Sequence, residues 1–224
     1  MARDAAGQGE RGHREGFRAT LPLSVAVLGF GISFGVLARA AGMGSIAPIA
    51  MSATTFAGSA QFAAVSVLDA GGSVATAVVA AVLLNARYAP IGVSVAPSFR
   101  GRWWSRLLHG QLVVDESWAI ASEGGGRYNL RVLLAAGLTL YVAWVAGTTL
   151  GVLFGDVIGD PARLGLDAAF PALFLALLAP QLTSSRARQV AVLGAAIALA
   201  LTPFTPPGVP IIAASVACVL GWRR

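Results

Sequence analysis

Hydrophobic residues along this chain fall into runs near bilayer-spanning length, and polar residues interrupt two of those runs. The first run covers residues 20–41. It begins near Pro22, which a helix start tolerates, and closes at Arg39, Gly42 and Gly44. Within it, the Gly31–Gly35 spacing allows close approach of another helix. The second run, about residues 45–68, contains Met51-Ser52-Ala53-Thr54-Thr55-Phe56-Ala57-Gly58-Ser59-Ala60-Gln61-Phe62. Asp69-Ala70-Gly71-Gly72 breaks the pattern. Residues 73–98 are apolar apart from Asn85-Ala86-Arg87-Tyr88, with Pro90 just beyond. Residues 107–123 are weakly apolar and carry Asp115-Glu116, before a break at Gly124-Gly125-Gly126. Further segments follow at about 131–154, 168–183, 189–204 and 208–222, the last two separated by a proline-rich turn. These runs predict an all-α polytopic membrane protein over residues 19–224. The polar, mixed-charge residues 1–18 predict a short disordered tail.

Composition strengthens this reading. Of 224 residues, 56% are hydrophobic and 12% charged, about half the roughly 25% charge of soluble domains. All 16 basic residues are arginine and they are scattered. They form no continuous stripe of the kind that binds phosphates, so the net charge of +6 does not predict a nucleic-acid partner. The one cysteine, Cys218, makes no internal disulfide and no cysteine metal cluster. His13 and His109 are isolated, and no phosphate loop, His-Glu-x-x-His or Gly-x-Ser-x-Gly motif is present. The expectation is a non-enzyme without a cofactor.

Arginine placement predicts orientation by the positive-inside rule. The tail with Arg11, Arg14 and Arg18, the Arg100–Arg106 loop, Arg127 and Arg131, the Arg186–Arg188 loop and the C-terminus read as cytoplasmic. The first segment then goes out, and the Arg87 segment returns. The stretch at 45–68 starts and ends outside, and 107–126 starts and ends inside. This count predicts about six full transmembrane helices plus two re-entrant or broken segments. The alternative is eight full spans, which places Arg100–Arg106 outside. Opposed broken elements are a feature of inverted-repeat transporters, although no internal repeat stands out in the sequence.

Each polar cluster has a functional and a structural reading. Ser52, Thr55, Gly58, Ser59 and Gln61 suit a broken helix that turns its backbone toward a ligand; they equally suit interhelical hydrogen bonding. Arg87 lies near the middle of its run, where an arginine costs about 2.5–3.5 kcal/mol on insertion scales, so it should face protein or a watery cavity. It binds a substrate carboxylate or pairs with an acid, Asp115 or Glu116. Those acids carry a coupling proton, pair with Arg87, or lie on a solvated interfacial helix. Being adjacent on a helix, they predict that one of the two faces the site.

Met51-Ser52, Phe56-Ala57-Gly58-Ser59-Ala60-Gln61-Phe62, Asn85-Ala86-Arg87-Tyr88 and Asp115-Glu116 together resemble the AzlC family of branched-chain amino acid permeases. The likeness continues in Phe170-Pro171-Ala172-Leu173-Phe174 and Leu178-Ala179-Pro180-Gln181 and covers roughly residues 17–222. It implies a multi-pass exporter of branched-chain amino acids or close analogues in the bacterial inner membrane. It further implies proton coupling, no cofactor, and a small membrane partner of the AzlD type. Gly58, Gln61, Asn85, Arg87, Asp115 and Glu116 are the residues the resemblance carries over. Where many relatives have Pro-Phe-Gly in the first segment, this chain has Ser33-Phe34-Gly35. A small-solute channel and a non-transporting membrane subunit are the rival readings, and an oligomer is compatible with all three.

Overall fold

The computed structural model describes residues 2–124, 126–158, 175, 178–179, 182–206 and 208–217; of 2–13 and 156–158 it describes the backbone alone. Two long helices, α1 (Ala2–Ala40) and α8 (Leu130–Ile158), form its axis. Between them lie α2 (Ile46–Thr55), α3 (Gly58–Asp69), α4 (Val74–Asn85), α5 (Tyr88–Val95), α6 (Trp103–Gly110) and α7 (Asp115–Ala121). A two-stranded ribbon, β1 (Ser122–Gly124) with β2 (Arg127–Tyr128), precedes α8. After it come α9 (Ser185–Leu201) and α10 (Val209–Ser215). Helix α1 runs back through the stretch expected to be a disordered tail.

Helices α1 and α8 pack in parallel. A Cβ added at Gly16 would stand 2.7 Å from the Val132 carbonyl oxygen, and one at Gly31 would stand 2.7 Å from that of Trp144. Gly35 faces Thr148 and Gly151, while Gly147 and Gly151 face Leu28 and Ile32. Contact positions climb together on both helices, as parallel packing requires. Lipid offers no hydrophobic drive between helices, so close backbone approach at small residues supplies the contact. The facing segments also match in sequence: Gly31-Ile32-Ser33-Phe34-Gly35-Val36-Leu37 against Gly147-Thr148-Thr149-Leu150-Gly151-Val152-Leu153. This short likeness joins parallel rather than inverted elements. It also puts the Arg14–Arg18 and Arg127–Arg131 flanks at one end, in keeping with the arginine reading.

Both polar stretches are hairpins against this pair. Helix α2 starts beside the C-terminal end of α1, where the Met43 amide donates to the Ala38 carbonyl. It descends until the Tyr141 hydroxyl donates to the Ala53 carbonyl at 2.9 Å, near the middle of α8. The chain then breaks: Phe56 has φ 44° and ψ 52°, and Ala57 has φ −139° and ψ 82°. Helix α3 climbs back, returning Gln61 to Ser52 and Phe62 to Phe34 of α1. The residue in the left-handed region is Phe56, not Gly58 as the sequence suggests.

Helix α4 descends again, packing Ala77 and Ala80 with Ala64 and Val67 of α3. At Ala86–Arg87 the α4–α5 pair bends by 43°. Pro90 sits in the first turn of α5, where proline is tolerated, so the bend precedes it. Helix α5 ends with Val95 buried among Ala121, Val132 and Leu133, at the N-terminal end of α8. Phe99 and Ala121, which flank the α6–α7 hairpin, pack in that same cluster. Between them Gln111 reaches back to the Thr54 carbonyl at 2.8 Å. The two hairpins thus enter from opposite ends of the α1–α8 pair, and their tips meet.

Arg14–Ala40 and Leu130–Gly155 are each long and apolar enough to cross a membrane, and the bent α4–α5 pair makes a third such element. The described residues therefore hold up to three full-length spans, against six expected. The segment expected at 168–183 lies largely outside them, and α9 and α10 are 17 and 7 residues long.

Candidate functional site

The tips meet around Arg87, which the α4–α5 bend leaves half-buried. Its Nη2 donates to Ser59 Oγ at 2.9 Å and lies 3.0 Å from Asp115 Oδ2. It also reaches the Tyr88 hydroxyl at 3.5 Å, with the guanidinium 5.2 Å from that ring's centroid. Ser59 comes from the first turn of α3 and Asp115 from the first turn of α7. One cation is therefore held between two hairpin tips. Its Nε is buried without a hydrogen-bond partner among the described residues.

A cavity opens beside this pair. Gly58, Ser59, Arg87, Tyr88, Asp115 and Glu116 form its polar side, and Val27, Phe30, Phe56, Val114, Leu140 and Trp144 its apolar side. Both carboxylates line it, against the expectation that only one would. They occupy the first two positions of α7, at the very tip. Two acids and one guanidinium leave one carboxylate without a matching cation in the lining. The amides that open α3 point away from any intrahelical carbonyl, since the first backbone bond of that helix runs from Gln61 to Ala57. The cavity is about 70 Å³, well under the roughly 300–1,000 Å³ of sites that enclose small ligands.

The remaining residues expected at the site lie elsewhere. Ser52 and Gln61 are fully buried behind the cavity wall. Gln61 Nε2 donates to Ser52 Oγ at 2.9 Å, and Ser52 and Thr148 share a hydroxyl hydrogen bond of 2.8 Å. Trp144 Nε1 donates to Gln61 Oε1 at 3.0 Å, and the Ala57 amide donates to the same oxygen at 3.3 Å. This network ties the hairpin to α8 and caps the broken strand of chain at α3. Thr55 is exposed and outside the cavity lining. Asn85, the last residue of α4 before the bend, is also outside it, and its Oδ1 is buried without a partner among the described residues. Sequence reasoning missed Trp144, Tyr88 and Thr148. For Thr148 the available signal was its place on the stretch of α8 that repeats the Gly-x-x-x-Gly pattern of α1.

Comparison with known proteins bears on this arrangement. The family model described as AzlC protein matches residues 22–158, a stretch that holds both hairpins, the bend, all of α8 and the C-terminal half of α1. An uncharacterised membrane protein of Archaeoglobus fulgidus is 33% identical over 213 residues, covering 93% of this chain and 94% of the relative. The branched-chain amino acid transport protein AzlC of Bacillus subtilis is 28% identical over 190 residues, 84% of this chain and 74% of that one. Inner membrane protein YgaZ of Escherichia coli is 27% identical over 218 residues, with 91% and 86% covered. No solved structure matches this chain. The chain is a membrane protein and belongs to the AzlC family.

Proposed function

We propose that the chain is a secondary transporter that exports branched-chain amino acids or close analogues, with the Arg87 cavity as its substrate site. The observation that carries this reading is the Arg87–Asp115 pair, held where two opposed hairpin tips meet beside an apolar wall. A zwitterion with a branched aliphatic side chain complements that wall and those charges. Its carboxylate takes the Gly58–Ser59 amides and Arg87, as half-helix N-termini favour. Its ammonium takes Asp115, and its side chain lies against Val27, Phe30, Phe56 and Leu140. Glu116, the carboxylate in excess, carries the coupling proton. Ser52 and Gln61 hold the wall in place.

In this reading the hairpins are re-entrant, six helices span fully, and both termini are cytoplasmic in a bacterial inner membrane. A small membrane protein of the AzlD type works with the chain. The name of the Bacillus subtilis relative supports the substrate class. Counterflow tests the proposal. Proteoliposomes preloaded with leucine or valine should release label faster when the same amino acid is outside, and a proton gradient should change the rate. Flux indifferent to trans substrate would instead support a small-solute channel, which opposed half-helices meeting mid-chain also fit.

A further inference from the structure

We infer that Trp144 sets the side-chain size the cavity accepts, with Gly58 and Gln61 as the residues that position its ring. The inference rests on the transport reading above. The ring of Trp144, in the cavity lining, is held by one hydrogen bond and two aromatic contacts. Its Nε1 is tied to Gln61. Phe34 stacks on it with centroids 5.9 Å apart and planes 26° apart, and Phe62 meets it edge-on at 6.2 Å. A Cβ added at Gly58 would stand 3.0 Å from Cη2 and 3.2 Å from Cζ3. The six-membered edge of the indole therefore lies flat against the α3 tip, at the corner where the polar and apolar sides of the cavity join.

Close-packed walls respond to single carbon atoms. Substrate atoms beyond the α-carbon must fit against this edge, within the apolar lining it shares with Phe30 and Leu140. The ring cannot recede, because Phe34 and Phe62 back it and Gln61 holds its nitrogen. A methyl at position 58 therefore takes volume from the cavity. A smaller ring at position 144 returns it, and Gln61 Oε1 keeps the Ala57 amide as a donor.

The test is a transport panel of alanine, valine, leucine and phenylalanine in proteoliposomes holding the full chain together with the small membrane partner proposed above, read as ratios within each variant so that protein yield cancels. Trp144→Phe should raise the phenylalanine-to-leucine ratio about tenfold, the scale on which pockets discriminate by a few carbon atoms. Gly58→Ala should lower the leucine-to-alanine ratio by a similar factor, without touching Gln61. Opposite shifts in the two variants support the inference. Ratios unchanged in both, with rates lowered uniformly, would reduce Trp144 to a packing residue and overturn it. An unaltered chain that moves none of the four overturns the transport reading and the size selector with it.

Discussion

Removing the charge on Arg87 should strand Asp115 where neither water nor another cation fully compensates it. The two groups are 3.0 Å apart, with side chains 34% and 28% exposed. At that distance and an effective dielectric of about 20, the gross attraction is about 5 kcal/mol. Desolvation offsets much of it. Truncating one partner of a fully buried pair costs about 3–5 kcal/mol, because the other charge is left alone. Here water reaches both groups, which lowers the expected cost of each single variant to about 2–3 kcal/mol. Arg87→Ala and Asp115→Ala should each show that loss in detergent unfolding followed by tryptophan fluorescence. The double variant strands nothing, so its loss should fall about 2 kcal/mol short of the sum, as coupled neighbours do.

Transport separates a working pair from a structural one. The double variant should lose little stability beyond either single variant and still carry no leucine, since neither the carboxylate nor the ammonium of the substrate has its partner. Arg87→Lys should stay inactive as well. Both contacts leave from Nη2, one bond farther along the side chain than a lysine's Nζ, so the shorter side chain does not bring its charge to Ser59 and Asp115 together. Leucine efflux at the unaltered rate from the double variant would refute the assignment of this pair to the site. Strictly additive stability losses would refute the pairing itself.

Two further outcomes follow from the packing. A cysteine at Ser105 in a Cys218→Ala background should resist an impermeant thiol reagent in intact cells and react in opened ones. Labelling from outside would favour eight full spans. Gly31→Ala should loosen the α1–α8 contact by about 1–3 kcal/mol, the cost of overpacking, because its Cβ would meet the Trp144 carbonyl oxygen at 2.7 Å. Gly29→Ala, which would meet nothing within 4 Å, is the control and should not destabilise. Thermal unfolding of the two variants side by side checks this pair.

The broken stretch was legible because hydroxyls and an amide stand in a run that otherwise suits lipid. Its internal geometry was not. Ser52 and Gln61 are nine residues apart, which on an unbroken helix means about 13 Å along the axis. Only the hairpin brings them to 2.9 Å. The left-handed residue was equally hidden, since glycine is the ordinary choice there and Phe56 is not. Its cost, about 1–2 kcal/mol, is accepted because the Phe56 ring is buried and meets Tyr141 edge-on at 5.2 Å. That contact reaches 85 positions along the chain, beyond any local pattern. A pairing of Arg87 with Asp115 or Glu116 was legible because charge at membrane depth needs a partner and few candidates existed; which of the two acids was not. Trp144 was not, because a tryptophan in an apolar run has no local signature of a cavity wall.

The division between the two sets of polar contacts constrains how such a site can open. Parting the α2–α3 hairpin from α8 would break the Ser52–Thr148 and Gln61–Trp144 hydrogen bonds inside a fully buried setting. Each polar group left unsatisfied there costs about 1–3 kcal/mol, and a small amino acid offers nothing at that depth to replace them. The α2–α3 hairpin, α1 and α8 are therefore the fixed body. The bent α4–α5 pair and the α6–α7 hairpin are joined to that body differently. Their polar links to it are Arg87 to Ser59 and Gln111 to the Thr54 carbonyl, while Arg87 to Asp115 ties the two to each other. Arg87 to Ser59 and Arg87 to Asp115 lie on the cavity itself, where a substrate's carboxylate and ammonium can stand in for the groups that separate. The chain already bends at Ala86–Arg87. A zwitterion that bridges Arg87 and Asp115 thus replaces the contacts it must break, and a solute with only one of the two charges leaves the other group stranded.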